Sequence, residues 1–302
     1  MFRRCSWKFS RGGGDDLLEY WFRDKPIFQE ETRKRLFSTS NKSEIEIIST
    51  KYSFTEAPCM QHWRKNWENQ RKNRLTSSIF AQAIGFWPNR RVQLWLEKIG
   101  ALEPFSGNAA TCWTKIKELE ALTRYHQLTG HDFLLPEFVT FEEEDWLGAS
   151  PDGDIHVVNG SSCCSSGGVL EVKCPFYDSD KTQAYPWKKV PQAQGLMEIM
   201  DRDWLDLYCW TVNGSSLFRI ERDSLFWEDM RGTLVDFWEK HVLPGRDKFD
   251  ASVEVITDPL VELIEFVPDS RHERCNQILR GTERIVNKSK RLFYEINGQL
   301  LD

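Results

Sequence analysis

The chain lacks the close cysteine pairs that hold a structural metal. Its eight cysteines (Cys5, Cys59, Cys112, Cys163, Cys164, Cys174, Cys209 and Cys275) form no C-x-x-C pair, and its six histidines form no H-x-x-x-H pair. A zinc site needs closely spaced soft ligands, so this pattern argues against one. A disulfide framework is also unexpected in a chain of 302 residues, which leaves reduced, mostly buried thiols of an intracellular protein. No apolar run reaches the roughly twenty residues that a helix needs to cross a bilayer. No internal repeat occurs. Net positive charge is also lacking: 40 Lys and Arg against 46 Asp and Glu give −6, which argues against a protein that coats nucleic acid over its whole surface.

Aromatic residues, by contrast, are plentiful. Hydrophobic residues make up 40% of the chain, enough for a sizeable core, and 13 Trp and 19 Phe are many for this length. Most belong in that core, while some are available to stack on bases or fill an interface. The charge is unevenly spread. Between Met60 and Gly100 stand Arg64, Lys65, Arg71, Lys72, Arg74, Arg90, Arg91 and Lys98 against Glu68 and Glu97, a balance of +6 that leaves −12 for the remainder. A basic stripe beside an acidic centre suits a protein that grips phosphates and holds metal; a solvated helix face is the other reading.

Residues 1 to about 50 differ from the rest. Arg3, Arg4, Lys8 and Arg11 come without an acid between them, and Arg33-Lys34-Arg35-Leu36-Phe37-Ser38-Thr39-Ser40 follows. Such mixtures resemble mitochondrial or chloroplast transit peptides. Asp15, Asp16, Glu19, Glu30 and Glu31 run against that, and a disordered nuclear or cytoplasmic tail is the alternative. From Lys51 to Asp302 the pattern predicts a single domain. Helices are expected at Arg74 to Trp87, Trp113 to Leu128, Pro191 to about Met200, Leu225 to Val242 and roughly Arg271 to Glu295. Strands are expected at Phe138 to Phe141, Asp154 to Val158 and Val169 to Lys173. Trp204 to Val212 and Ser216 to Glu221 read as a hairpin turning at Asn213-Gly214. This order implies an α/β or α+β fold, a central mixed β-sheet flanked by helices.

One short strand carries the chemistry. In Val169-Leu170-Glu171-Val172-Lys173 the side chains alternate, so Glu171 and Lys173 share a face while Leu170 and Val172 take the other. A carboxylate and an ammonium on a strand this apolar are costly unless something uses them. A divalent cation with its water would, and Asp152 of the turn Ser150-Pro151-Asp152-Gly153 offers a second carboxylate. On the helix ahead, Glu118 shares a stripe with Ala121, Tyr125 and Leu128, and an acid on an inward stripe needs a partner, a metal site or a buried arginine. Arg71 and Arg74 precede Thr76-Ser77-Ser78, a helix start suited either to a phosphate or to simple capping. The run Glu142-Glu143-Glu144-Asp145 reads as a solvated turn rather than as metal ligands.

Taken in order, these motifs resemble the lambda-exonuclease-like (viral recombinase) family of the PD-(D/E)xK nuclease superfamily. The resemblance runs from about Trp67 to Asp223. Its parts are Trp67-x-x-x-Arg71 with Thr76-Ser77-Ser78, then Glu118-x-x-Ala121-x-x-x-Tyr125, then Ser150-Pro151-Asp152-Gly153. Glu171-Val172-Lys173-Cys174-Pro175 and Gln192-Ala193-Gln194 follow, with Tyr208-x-Trp210 and Arg222-Asp223 closing the sheet. The resemblance implies a restriction-endonuclease-like core and Mg²⁺- or Mn²⁺-dependent hydrolysis of DNA, most naturally from duplex ends in recombination, repair or turnover. It implies that Asp152 and Glu171 hold the metal with the Val172 carbonyl, that Glu118 and Gln194 complete the shell, and that Lys173 assists the attacking water. Arg71 and Ser78, with Arg74 as a helper, would receive the terminal phosphate. A homo-oligomer or a single-strand annealing partner protein would also fit. The alternatives are an endonuclease, a single-strand or RNA nuclease, and an inactive DNA-end-binding or assembly protein that docks through a helical C-terminal extension.

Overall fold

Val169 to Lys173 is apolar enough to be buried on both faces, and the molecule is built around it. The computed structural model describes residues 70–104, 109–156, 167–176, 187–254 and 263–301, all within one unit, Asn66–Asp302. The N-terminal tail, its boundary near residue 50 and most of the loop Asn159 to Gly168 lie outside the described residues. In chain order the elements are β1 (Leu75–Thr76), α1 (Phe80–Ile84), α2 (Pro88–Ile99), α3 (Ala109–Thr129), β2 (Asp132–Leu134), β3 (Val139–Thr140) and β4 (Leu147–Ala149). Then come β5 (Gly153–His156), β6 (Gly168–Lys173), α4 (Val190–Met200), β7 (Trp204–Thr211), β8 (Gly214–Glu221) and α5 (Ser224–Phe237). A π-helical turn, Trp238–Val242, carries α5 into α6 (Leu243–Glu254), followed by α7 (Cys275–Lys288), β9 (Lys290–Ile296) and β10 (Gln299–Leu301).

A seven-stranded sheet has the order β10-β9-β8-β7-β6-β5-β2, and a small three-stranded one has the order β1-β4-β3. In the large sheet β6 and β7 are parallel, with Glu171 opposite Leu207, and the other neighbours are antiparallel. Alternation along β6 and β7 sorts the core into two layers. Val169, Leu205, Leu207 and Cys209 pack with the residues of α1, α2, α4, α5 and α7. Leu170, Val172, Tyr208 and Trp210 pack against Ala121, Leu122 and Tyr125 of α3. Mixed sheets with helices on both faces are the expected fold class.

Two expected elements differ in detail. The helix expected from Arg74 begins instead as β1, parallel to β4, and α1 is only five residues long. Gly85 ends it at φ 96°, where an added Cβ would stand 2.7 Å from the Arg271 Cα. The hairpin between β7 and β8 turns on Val212 and Asn213, because Gly214 already pairs with Thr211. Gly214 serves close approach rather than turn geometry: a Cβ there would lie 2.1 Å from the Glu295 carbonyl oxygen.

The C-terminal segment is the larger correction. The helix expected to Glu295 stops at Lys288, and the chain continues as the hairpin β9–β10 that extends the large sheet. Asn297 at φ 49° and Gly298 at φ 81° form the Asn-Gly turn that such hairpins favour. Glu295 on β9 is 4% exposed, accepts from Arg124 and takes 2.8 Å from Ser215 Oγ. The segment is therefore built into the sheet and is not a free helical docking extension.

Candidate active site

The pairing of β5 with β6 stops at Gly153 opposite Leu170, just where Ser150-Pro151-Asp152 turns away. Beyond that point the β6 backbone needs another partner, and Asp152 Oδ2 accepts from the Val172 N–H at 2.7 Å. In an extended strand a residue's N–H and C=O point to the same edge, so the Val172 carbonyl also faces the Asp152 side. On the α4-facing side of β6, Lys173 Nζ donates to Glu171 Oε1. Gln192 Nε2 donates to the same oxygen at 2.5 Å.

The electrostatics are those of crowded acids held by cations. Burial first, and then the neighbouring Glu171, push the Asp152 carboxyl well above its usual range. Burial works against the Lys173 ammonium, but Glu171 and Asp152 outweigh it and raise its pKa. Glu118 of α3 is half-buried, and its field reaches Asp152 and Cys174. Arg71 is enclosed beside the acids, with its pKa lowered by burial while Glu171 and Asp152 pull it up. Its Nη2 donates to Ser78 Oγ at 3.2 Å, and Ser78 Oγ lies 3.1 Å from Thr76 Oγ1. Asp152, Glu171, Lys173, Glu118, Arg71 and Ser78 thus come from the turn between β4 and β5, the end of β6, α3, and the stretches before and after β1.

Two expected residues face elsewhere. Gln194 is fully buried, but its Nε2 donates to the Glu221 carbonyl at 2.9 Å and its Oε1 accepts from the Asp223 N–H at 2.9 Å. It ties α4 to the join between β8 and α5. Positions two apart on a helix point in nearly opposite directions, so the earlier glutamine, Gln192, reaches the site instead. Both are buried and both carry amides, so no sequence signal separates them. Arg74 Nε donates to the Asp145 carbonyl at 2.6 Å and Nη1 to Gln70 Oε1 at 2.5 Å; it braces β1 against the turn before β4.

Arg64 and Lys65 of the basic segment lie outside the described residues; among the described ones Lys72 and Arg90 are exposed, while Arg91 and Lys98 are neither a phosphate grip nor a solvated face. Arg91 is buried and donates to the Ala83 and Asp269 carbonyls at 2.7 and 2.8 Å. Lys98 Nζ donates to the Arg71 and Arg74 carbonyls at 2.6 Å each, which holds the stretch that carries Arg71. In the acidic run, Glu142 and Glu143 are exposed as expected, but Glu144 grips Arg231 of α5 through two bonds of 3.1 Å. Cys174, Cys209 and Cys275 are buried free thiols.

Among the described residues no three His, Cys, Asp or Glu side chains cluster as a metal site. The donors present are hard oxygens: Asp152, Glu171 and the Val172 carbonyl. Two further acceptor oxygens, Glu171 Oε2 and Gln192 Oε1, are buried and meet no donor among the described residues. Unpaired buried acceptors are costly. An oxygen-seeking divalent cation of the Mg²⁺ or Mn²⁺ type would complete them, and the residues fit such an ion.

Comparisons with known proteins bear on the family and the fold. Residues 66–201 match the family model of the YqaJ-like viral recombinase domain. The fold is similar to an alkaline exonuclease (LHK-Exo) from Laribacter hongkongensis, with TM-score 0.52 and 20% identity over 64% of this chain and 100% of that one. The same values hold for LHK-Exo in complex with dAMP. A phage related exonuclease from Haemophilus somnus 129PT aligns at TM-score 0.42 and 14% identity, over 53% of this chain and 90% of that one. No curated protein sequence matches significantly.

Proposed function

From the match of residues 66–201 to the YqaJ-like viral recombinase domain model and the geometry above, we propose that this protein is a divalent-metal-dependent deoxyribonuclease that degrades duplex DNA from its ends. The observation that carries the reading is the buried, unpartnered Glu171 Oε2 set beside Asp152 and Lys173. Asp152, Glu171 and the Val172 carbonyl would hold Mg²⁺ or Mn²⁺. When bound, the ion supplies Lewis acidity toward the phosphate and makes a water acidic enough to attack at neutral pH. Lys173 keeps its charge in this setting, because Glu171 and Asp152 raise its pKa. It is thereby ready to stabilise negative charge growing on the scissile phosphate. Gln192 orients the Glu171 carboxylate through its 2.5 Å bond. Glu118 adds negative potential on the Asp152 side, which favours a cation there.

End specificity rests on Arg71 and Ser78. Their hydrogen bond sets a guanidinium fork and a hydroxyl together beside the acids, suited to a terminal phosphate. With Mg²⁺ and linear duplex DNA, the protein should release mononucleotides, and EDTA should stop the release. Nicked circles cut as fast as linear DNA would remove the exonuclease reading and leave an endonuclease.

A further inference from the structure

Lys189 ends the 3₁₀ turn Trp187–Lys189 and is the residue from which α4 starts. Three residues on, Gln192 reaches Glu171. Residues three apart at a helix start share a face, so Lys189 is directed toward the same end of β6. Its side chain is half-buried, and it makes no hydrogen bond or ion pair among the described residues. The fields of Lys173, Glu171 and the Cys209 thiol reach it, and Cys209 is the register partner of Lys173. Its neighbour Lys188 points outward instead, with its ammonium 5.4 and 5.3 Å from the ring centres of Trp87 and Trp187.

Two enclosed ammonium groups beside one shared carboxylate are unfavourable. Burial and then Lys173 lower the Lys189 pKa to about 8, and Glu171 pulls it back only in part. An anion lying across both amines would relieve this. Arg71 feels Glu171 and Asp152, whereas Lys189 feels Glu171 and Lys173. Arg71 bonds Ser78 across β1, whereas Lys189 caps α4 beside the end of β6, so the two cations reach the acids from different elements. We propose that Lys189 is a second phosphate-binding residue of this site, holding a DNA backbone phosphate on the Lys173 side while Arg71 holds one on the Asp152 side. The inference rests on the nuclease reading above.

Salt dependence of binding to linear duplex DNA tests it, measured with EDTA present so that cleavage does not intervene and both amines remain. Each phosphate contact contributes about 0.9 to the slope of log affinity against log salt, so Lys189→Met should reduce the slope by about that much. Lys189→Arg should keep it. In duplexes carrying one methylphosphonate at a time, one position should weaken the parent but leave Lys189→Met unaffected. That position should differ from the one silenced by Arg71→Ala. An unchanged slope with no silenced position overturns the inference. Should Lys189→Met fail to fold, Lys189→Gln carries the same measurement. If Lys173→Ala still cleaves DNA at the parent rate, the nuclease reading itself falls. If Lys173→Ala is inactive and Lys189→Met keeps the full slope, only the role of Lys189 falls.

Discussion

Replacing the two glutamines of α4 one at a time should separate stability from catalysis. Gln194 is fully buried and satisfies two backbone groups, the Glu221 carbonyl and the Asp223 N–H, each at 2.9 Å. Gln194→Ala strands both. A stranded buried polar group costs about 1–3 kcal/mol, so the variant should lose roughly 2–5 kcal/mol of folding free energy. Its rate per folded molecule should stay within a few-fold of the parent, since nothing at Glu171 changes. Gln192→Ala should behave in the opposite way. It removes one hydrogen bond to a carboxylate, worth about 1.5–3 kcal/mol. Glu171 Oε1 keeps Lys173 as a partner, so little stability is lost. If that bond holds the carboxylate in its working orientation, the loss appears in the barrier and corresponds to roughly 10- to 100-fold in rate. Urea unfolding gives the first quantity and initial nucleotide release from linear duplex gives the second. A stable but inactive Gln194→Ala together with an active Gln192→Ala would refute the assignment.

Three further outcomes follow from particular contacts. Burial first, and then Arg71 and Arg246, depress the Lys98 pKa from 10.5 to about 7. The folded state then binds fewer protons than the unfolded chain between those values, so stability should rise with pH from about 7 to about 10.5 and be lost as pH falls back. The gain is at most about 5 kcal/mol; urea midpoints should climb over this range in the parent and stay flatter in Lys98→Met, and equal climbs would contradict the assignment. Glu295→Ala should loosen the C-terminal hairpin by about 1–3 kcal/mol, because Arg124 and Ser215 lose their shared acid; proteolysis after Lys288 should speed up in the variant, and unchanged resistance would argue against it. Arg71→Ala should slow digestion of phosphorylated ends about tenfold more than that of unphosphorylated ends; a uniform loss on both would make Arg71 a general backbone contact.

The candidate strand was legible because period-two alternation in an apolar run sets Glu171 and Lys173 on one face, and Ser150-Pro151-Asp152-Gly153 ahead with Cys174-Pro175 behind made the pair more than a surface ion pair. The Asp152 turn was legible for a similar reason, since it precedes a strand and carries an acid. What a helix does with two glutamines two positions apart was not legible. Both Gln192 and Gln194 are buried, and only the packing of α4 against β6 and β8 decides which one meets Glu171. The basic stripe misled because sequence counts charge and not destination: Arg91 and Lys98 are occupied by backbone carbonyls. The end of the chain held a signal that the amphipathic pattern of α7 obscured. Asn297-Gly298, flanked by Phe293, Tyr294 and Ile296 on one side and Leu300 and Leu301 on the other, is a hairpin signature.

The account turns on whether Asp152 and Glu171 jointly bind a divalent cation. Titrating Mn²⁺ into the full chain, with the paramagnetic signal of the free ion as readout, measures this directly. Saturable binding in the parent that is lost in both Asp152→Asn and Glu171→Gln, with DNA cleavage lost in parallel, is the predicted result. Binding and cleavage that both survive in the two variants would contradict it.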